Sequence, residues 1–245
     1  MWRTRYFEIH HFQTARLNAI KDLQTMLHTN KQMQGVILPN LEVVMRMIER
    51  NIFRPLPCGV KKQALGFSET GVEQEDEQDP AWPHLQVLLC LSLTQVIYEF
   101  TLQLMFHESC DVKLLKPFIT PRFIQDFLGL FDSQEAAERE YLKTILHKIY
   151  AKVVPRRKMI RKAINDLFYV IIHENSKFNG VSELLDILAS IISGFAVPLR
   201  EEHVVFFKHI VIPLHKVFAS SLYYEQLLRC SILFIHKDKN LLHSV

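Results

Sequence analysis

Twelve histidines, four cysteines and a concentrated run of basic side chains are the residues of this 245-residue chain best suited to chemistry. The histidines come first, because imidazole serves both as a metal ligand and as a general base near neutral pH. The chain has no H-E-x-x-H, the spacing that sets two imidazoles on one helix face around a zinc ion. His203, His209 and His215 follow at six-residue intervals, which does not place them on one face. Cys58, Cys90, Cys110 and Cys230 form no C-x-x-C pair and fit neither a zinc site nor a disulfide framework. G-x-S-x-G, G-x-G-x-x-G and P-loop sequences are missing too. Glu201 and Glu202 are adjacent at an expected helix start, where the helix dipole favours negative charge without any catalytic role. No nucleophile stands beside a base that spacing identifies. The expectation is a chain without catalytic residues, metal or cofactor.

The basic run is the strongest remaining signal. "YLKTILHKIYAKVVPRRKMIRKAI", residues 141–164, holds eight Lys or Arg and no Asp or Glu, in a chain of 29 basic and 26 acidic side chains. A net charge of +3 is too small for general nucleic-acid affinity, which rests on many phosphate contacts at once. An acidic peptide and plain solvation of a helix face both remain open for the run. The most apolar stretch, residues 85–98, is free of charge only as far as Glu99. A membrane span needs about 20 apolar residues, so the segment reads as part of a buried helix and no membrane insertion is expected. With no secretory leader and no disulfide pattern, a reduced intracellular compartment follows.

Helices must position these residues. Gly is scarce, at 7 residues, and apolar side chains recur at helical spacing. Leu17, Ile20, Leu23 and Leu27 form one stripe, and Leu41, Val44, Met45, Ile48 and Ile52 a second. A polar stretch at about 54–80, with six acids between Glu69 and Asp79, reads as a solvated loop. Thr120 and Pro121 open a helix as N-cap and first residue. Asp132 and Glu135 offer a capping box for the next. Leu142, Ile145, Leu146 and Ile149 line that helix, which should stop near Pro155; Ile160, Ile164, Leu167, Phe168 and Ile171 line the one after. Pro213 should end or kink a later helix. Tyr150 and Ile191 hold similar positions near the ends of alternate helices, a spacing suited to HEAT or armadillo-like pairs. The pattern predicts an all-α chain of about ten helices, a superhelical solenoid of antiparallel pairs, with a plain bundle as the alternative.

Several long segments resemble one family: "AWPHLQ" (81–86), "IYEF" (97–100), "LFDSQEAAEREYLKTILHKIY" (130–150), "NGVSELLDILASIISGFAVPLREEH" (179–203) and "PLHKV" (213–217). "MIERNIFRPLP" and the acidic stretch after it fit as well. Together they are similar to the B-prime regulatory subunits of protein phosphatase 2A. The resemblance implies a HEAT-like solenoid without catalysis of its own. It implies partners too: the phosphatase scaffold and catalytic subunits, and short acidic motifs of the type Leu-x-x-Ile-x-Glu in substrate proteins. By resemblance, Tyr150, Ile187 and Ile191 form apolar pockets for the motif's Leu and Ile. His147 and Lys148 hold backbone and acidic groups beside them, and Arg157 and Arg200 meet carboxylates. Periodicity alone would assign Ile187 and Ile191 to the core. The implied compartment is the cytoplasm, with the nucleus as a second. A stand-alone adaptor that binds acidic peptides without a phosphatase is the other reading.

The chain departs from the family pattern in places. Lys148 stands where the family has Arg, which keeps the charge and loses the planar fork. Arg200 stands where the family has Lys. "VLLCLSLTQ", residues 87–95, reads as an insertion; nine residues in a continuous helix add about 13.5 Å and half a revolution. Residues 1–245 read as a single partial solenoid, because family members start earlier and continue past Val245.

Overall fold

The computed structural model describes the backbone of residues 2–54, 56, 82–174, 177–217 and 221–244, and the side chains of these except 2–13, 30, 82–92, 243 and 244. The described residues contain helices and no strand, as the spacing predicts. The acidic loop expected at about 54–80 lies almost wholly outside them. The chain divides into two compact units, Met1–Ser109 and Cys110–Val245.

The first unit contains α1 (Trp2–Leu27), the single turn α2 (Asn30–Gln32), a widened π-helical turn Met33–Ile37, α3 (Leu41–Ile52) and α4 (Trp82–Phe106). Its core is the one the stripes anticipate: Ile20, Leu27, Leu41, Val44, Met45, Ile48 and Ile52 are all buried. The α4 helix packs against α1 and α3. It buries Ile97, Tyr98, Phe100, Leu104 and Met105, while Thr101 donates its hydroxyl to the Ile97 carbonyl (2.7 Å). Residues 87–95 run inside α4 without a break in the helix. Among the described residues no helix is long and apolar enough to cross a membrane.

The second unit begins with the short α5 (Val112–Leu115) and continues through α6 (Pro121–Gly129), α7 (Ala136–Lys152), α8 (Arg157–Glu174) and α9 (Val181–Ser193). A helical run follows, made of α10 (Glu201–Phe206), a π turn Phe207–Val211 and α11 (Ile212–Leu214); α12 (Tyr224–Lys237) completes the unit. Thr120 caps α6, its hydroxyl accepting from the Phe123 N–H (3.1 Å), with Pro121 next to it. Phe123 and Phe127 stack 5.9 Å apart, and both are buried. The expected capping box at α7 takes another form. Ser133, not Asp132, is the local acceptor: its hydroxyl receives the Glu135 N–H (3.2 Å) and donates to the buried Glu138 carboxylate (2.6 Å). Asp132 instead accepts from Asn179, at the turn into α9. Pro213 has no N–H and its ring crowds the carbonyl one turn back; the π turn lies over that stretch, and the helix stops at Leu214.

Polar contacts define how the helices repeat. Lys116 and Arg156 are linked across 40 residues, Arg161 and Glu202 across 41, Lys143 and Asp186 across 43, Arg139 and Glu183 across 44, and Asp132 and Asn179 across 47. On the next step Leu185 meets Cys230 across 45 and Ser193 meets Lys237 across 44. Every link joins a residue to its counterpart one helical pair later, so α7, α9 and α12 run side by side in the same direction. A period of 40–47 is that of HEAT-like pairs. Within this unit the stack is α6 with α7, α8 with α9, and α10–α11 with α12. Gly180 makes the tightest step: a Cβ there would stand 2.5 Å from the Phe131 carbonyl oxygen, so the turn into α9 sits directly on the backbone of the preceding turn.

Candidate functional site

The corner between α7 and α8 gathers the polar groups of the basic run. The α7 helix ends at Lys152 because Pro155 disfavours helical backbone at Val154, and a 3-10 turn Val154–Arg156 carries the chain into α8. Helix ends leave carbonyls without intrahelical partners. Arg157, at the start of α8, supplies donors for two of them. Its Nε donates to the Tyr150 carbonyl (2.9 Å) and its Nη2 to the Ala151 carbonyl (3.0 Å). The same guanidinium lies over the Tyr150 ring, 5.2 Å from its centre, within cation–π range. One turn later on the same helix, Arg161 donates to the Tyr150 hydroxyl (3.1 Å) and pairs with Glu202 of α10 (3.3 Å). Tyr150 is therefore held at its backbone, ring face and hydroxyl by two arginines of α8.

The α9 helix lies beside α7, and the two are tied near their starts. Arg139 donates to Glu183 (2.7 Å) and to the Ser133 and Gln134 carbonyls, while Ser182 donates to the other Glu183 oxygen (3.0 Å). Further along, Lys143 meets Glu140 (2.9 Å) and Asp186 (3.4 Å). Burial works against the Lys143 charge, but Glu140 and Asp186 outweigh it and push its pKa above 10.5. Lys143 is thus a tie between helices, where the sequence allows mere solvation; Lys162 is exposed.

The residues singled out from sequence divide by position. His147 is exposed and Lys148 half-buried, both on the last turns of α7 before Tyr150. Tyr150 and Arg157 are half-buried and in direct contact. Ile187 and Ile191 share a face of α9 with exposures of 2% and 4%, so a ligand side chain meets them only where neighbouring side chains yield. Arg200 is exposed at the N-cap of α10. The loop before it is anchored by Lys237, whose ammonium donates to the Ser193 and Phe195 carbonyls, and by Phe195 stacked on His203 (3.7 Å). Burial pushes the His203 imidazole below 6.5; Glu202 works against this, and Arg161 and Arg200 add to it. Both His203 ring nitrogens lack a hydrogen-bond partner, because the Glu202 contact at 3.4 Å has ion-pair distance without hydrogen-bond geometry.

A cavity of about 950 Å³ opens between α6, α8, α9 and α10. Its wall includes Lys158, Arg161, Leu188, Ile192, Phe195 and His203, and none of the residues that the resemblance assigns to the peptide. The two regions meet at Arg161. Sequence reading passes over Arg161 and gives Glu202 only a place at a helix start. The signal available was the i, i+4 spacing of Arg157 and Arg161, which puts both on one face of α8. Among the described residues no cluster of three or more His, Cys, Asp or Glu could hold a metal ion.

Stacked helix pairs with a polar corner along adjacent helices define a class: an all-α helical-repeat protein whose side-by-side helices form an extended surface. Comparison with known proteins narrows this. Residues 10–245 match the family described as protein phosphatase 2A regulatory B subunit (B56 family), and the chain belongs to that family. It is 42% identical over 204 residues to the B′ beta isoform of the 57 kDa regulatory subunit of serine/threonine protein phosphatase 2A from Arabidopsis thaliana, covering 83% of this chain and 39% of that protein. It is 43% identical over 202 residues to the delta isoform of the 56 kDa regulatory subunit from Saccharomyces cerevisiae, covering 82% of this chain and 25% of that protein. The delta 1 isoform from Schizosaccharomyces pombe is 37% identical over 232 residues, covering 94% and 40%. The chain thus spans two fifths or less of the length of these relatives.

Proposed function

We propose that this chain is a non-catalytic, substrate-targeting part of a protein phosphatase 2A regulatory subunit. It binds short acidic motifs of the type Leu-x-x-Ile-x-Glu and links them to the phosphatase scaffold and catalytic subunits. Family membership supports the regulatory role. The observation that carries motif binding is the α7–α8 corner, where Arg157 and Arg161 fix a half-buried Tyr150 next to the helix bearing Ile187 and Ile191. Tyr150, Ile187 and Ile191 receive the motif's apolar side chains. His147 and Lys148 meet its backbone and acidic groups. Arg157 keeps donors of its fork beyond those given to the α7 carbonyls, and with Arg200 it meets carboxylates. Such charge-assisted bonds contribute roughly 1.5–3 kcal/mol each when sheltered from water. The reading places the protein in the cytoplasm and the nucleus.

Calorimetric titration of the chain with a Leu-x-x-Ile-x-Glu peptide tests the proposal, with Arg157→Ala and Ile191→Ala as controls. Both substitutions should weaken binding at least several-fold; unchanged affinity in both would refute this pocket. Co-purification with the phosphatase scaffold separates a phosphatase component from a stand-alone adaptor.

A further inference from the structure

Tyr150 is assigned above only as an apolar wall, yet its hydroxyl has a dedicated partner. The Arg161 guanidinium donates one N–H to the phenol oxygen (3.1 Å) and turns its other end to Glu202 (3.3 Å). Arginine has donors only, so the phenol oxygen accepts in this contact and its own hydrogen must point elsewhere. Among the described residues no acceptor takes that hydrogen. Arg157 meanwhile fixes the ring from its face and from the backbone carbonyl. The phenol can therefore neither swing away nor redirect its O–H towards Arg161. We infer that Arg161 is a positioning residue, which holds the Tyr150 hydroxyl as a fixed hydrogen-bond donor to an acceptor oxygen on the bound peptide. The inference rests on the motif-binding reading, to which it adds a polar contact and a residue outside the expected set.

The chemistry is specific. A donor held by a cation is better oriented and more acidic than a free phenol, so it suits a carbonyl or carboxylate oxygen. Glu202 supports Arg161 from α10, but it is 43% exposed and contributes through solvent. Losing Glu202 should leave the Arg161–Tyr150 contact in place.

A double-mutant cycle on the full 245-residue chain tests this, with a Leu-x-x-Ile-x-Glu peptide as titrant and thermal unfolding as the check on folding. Tyr150→Phe keeps the ring and removes the hydroxyl; it should weaken binding roughly threefold to tenfold, the range of one hydrogen bond. Arg161→Met should weaken binding similarly, the double variant should lose no more than either single one, and Arg161→Lys should restore part of the loss. Glu202→Gln should stay within about twofold of the parent, whereas a purely structural helix tie would make it as costly as Arg161→Met. If the parent chain binds and Tyr150→Phe or Arg161→Met binds as well as the parent, or their losses add, the inference is wrong and the groove stands. If the parent chain fails to bind the peptide, the groove reading falls and the inference with it.

Discussion

Tyr150 shows what individual residues contribute that spacing cannot. Its place at the end of a helix is readable from the run of Leu142, Ile145 and Ile149, all of which are buried. Its two arginine partners are not readable, because they depend on how α8 turns back at Pro155. Lys143 carries the same lesson, since only the packing of α9 beside α7 brings Asp186 within 3.4 Å. Histidine chemistry also belongs at this scale. Burial pushes both His203 and His215 below 6.5. Between their lowered values and 6.5 the unfolded chain binds more protons than the folded one. The stability owed to the neutral rings is therefore complete above that value and falls as pH drops through the window. The unfolding midpoint should fall between pH 7.5 and 5.5, and less steeply in His203→Gln and His215→Gln. Identical slopes in parent and variants would contradict this. Cys230 is a second case: burial, with Asp186 adding to it, pushes its thiol up to about 12. A thiol reagent at pH 8 should leave Cys230 unlabelled in the folded chain and label it on unfolding.

At the scale of elements, sequence periodicity locates the helices well because each has one buried face. The stripes of α3, α7 and α8 are buried as their spacing predicts. The joints are less legible. "DSQE" reads as a capping box, yet Asp132 serves the next turn through Asn179, and Ser133 takes the local role. That exchange depends on a contact 47 residues away, beyond any local pattern. The joints give two stability predictions. Gly180→Ala would push a methyl to 2.5 Å from the Phe131 carbonyl oxygen, which is backbone and cannot yield cheaply. It should destabilise the chain by about 2 kcal/mol, as read by denaturant unfolding; a variant as stable as the parent would show that the turns do not pack this closely. Arg139→Met leaves the Glu183 carboxylate, 8% exposed, without its cation. The expected loss is about 3 kcal/mol, much of it recovered in the double variant with Glu183→Leu, since replacing both partners removes the stranded charge.

For the whole molecule, the all-α repeat class is legible from composition and period, and the cross-helix links at 40–47 residues give that period a physical basis. The motif pocket is legible only through family resemblance. Ile187 and Ile191 are indistinguishable from core by spacing, and they are in fact buried. The proposed role needs charge and apolar side chains to act together: a basic corner alone would bind any polyanion, with a steep loss in salt. Fluorescence anisotropy of a labelled Leu-x-x-Ile-x-Glu peptide, against a peptide of equal charge with Leu and Ile replaced by Ala, separates the two most directly. The proposal requires saturable binding of the first peptide and at least a tenfold loss for the second. Equal affinities would mean that the chain reads charge and not the motif.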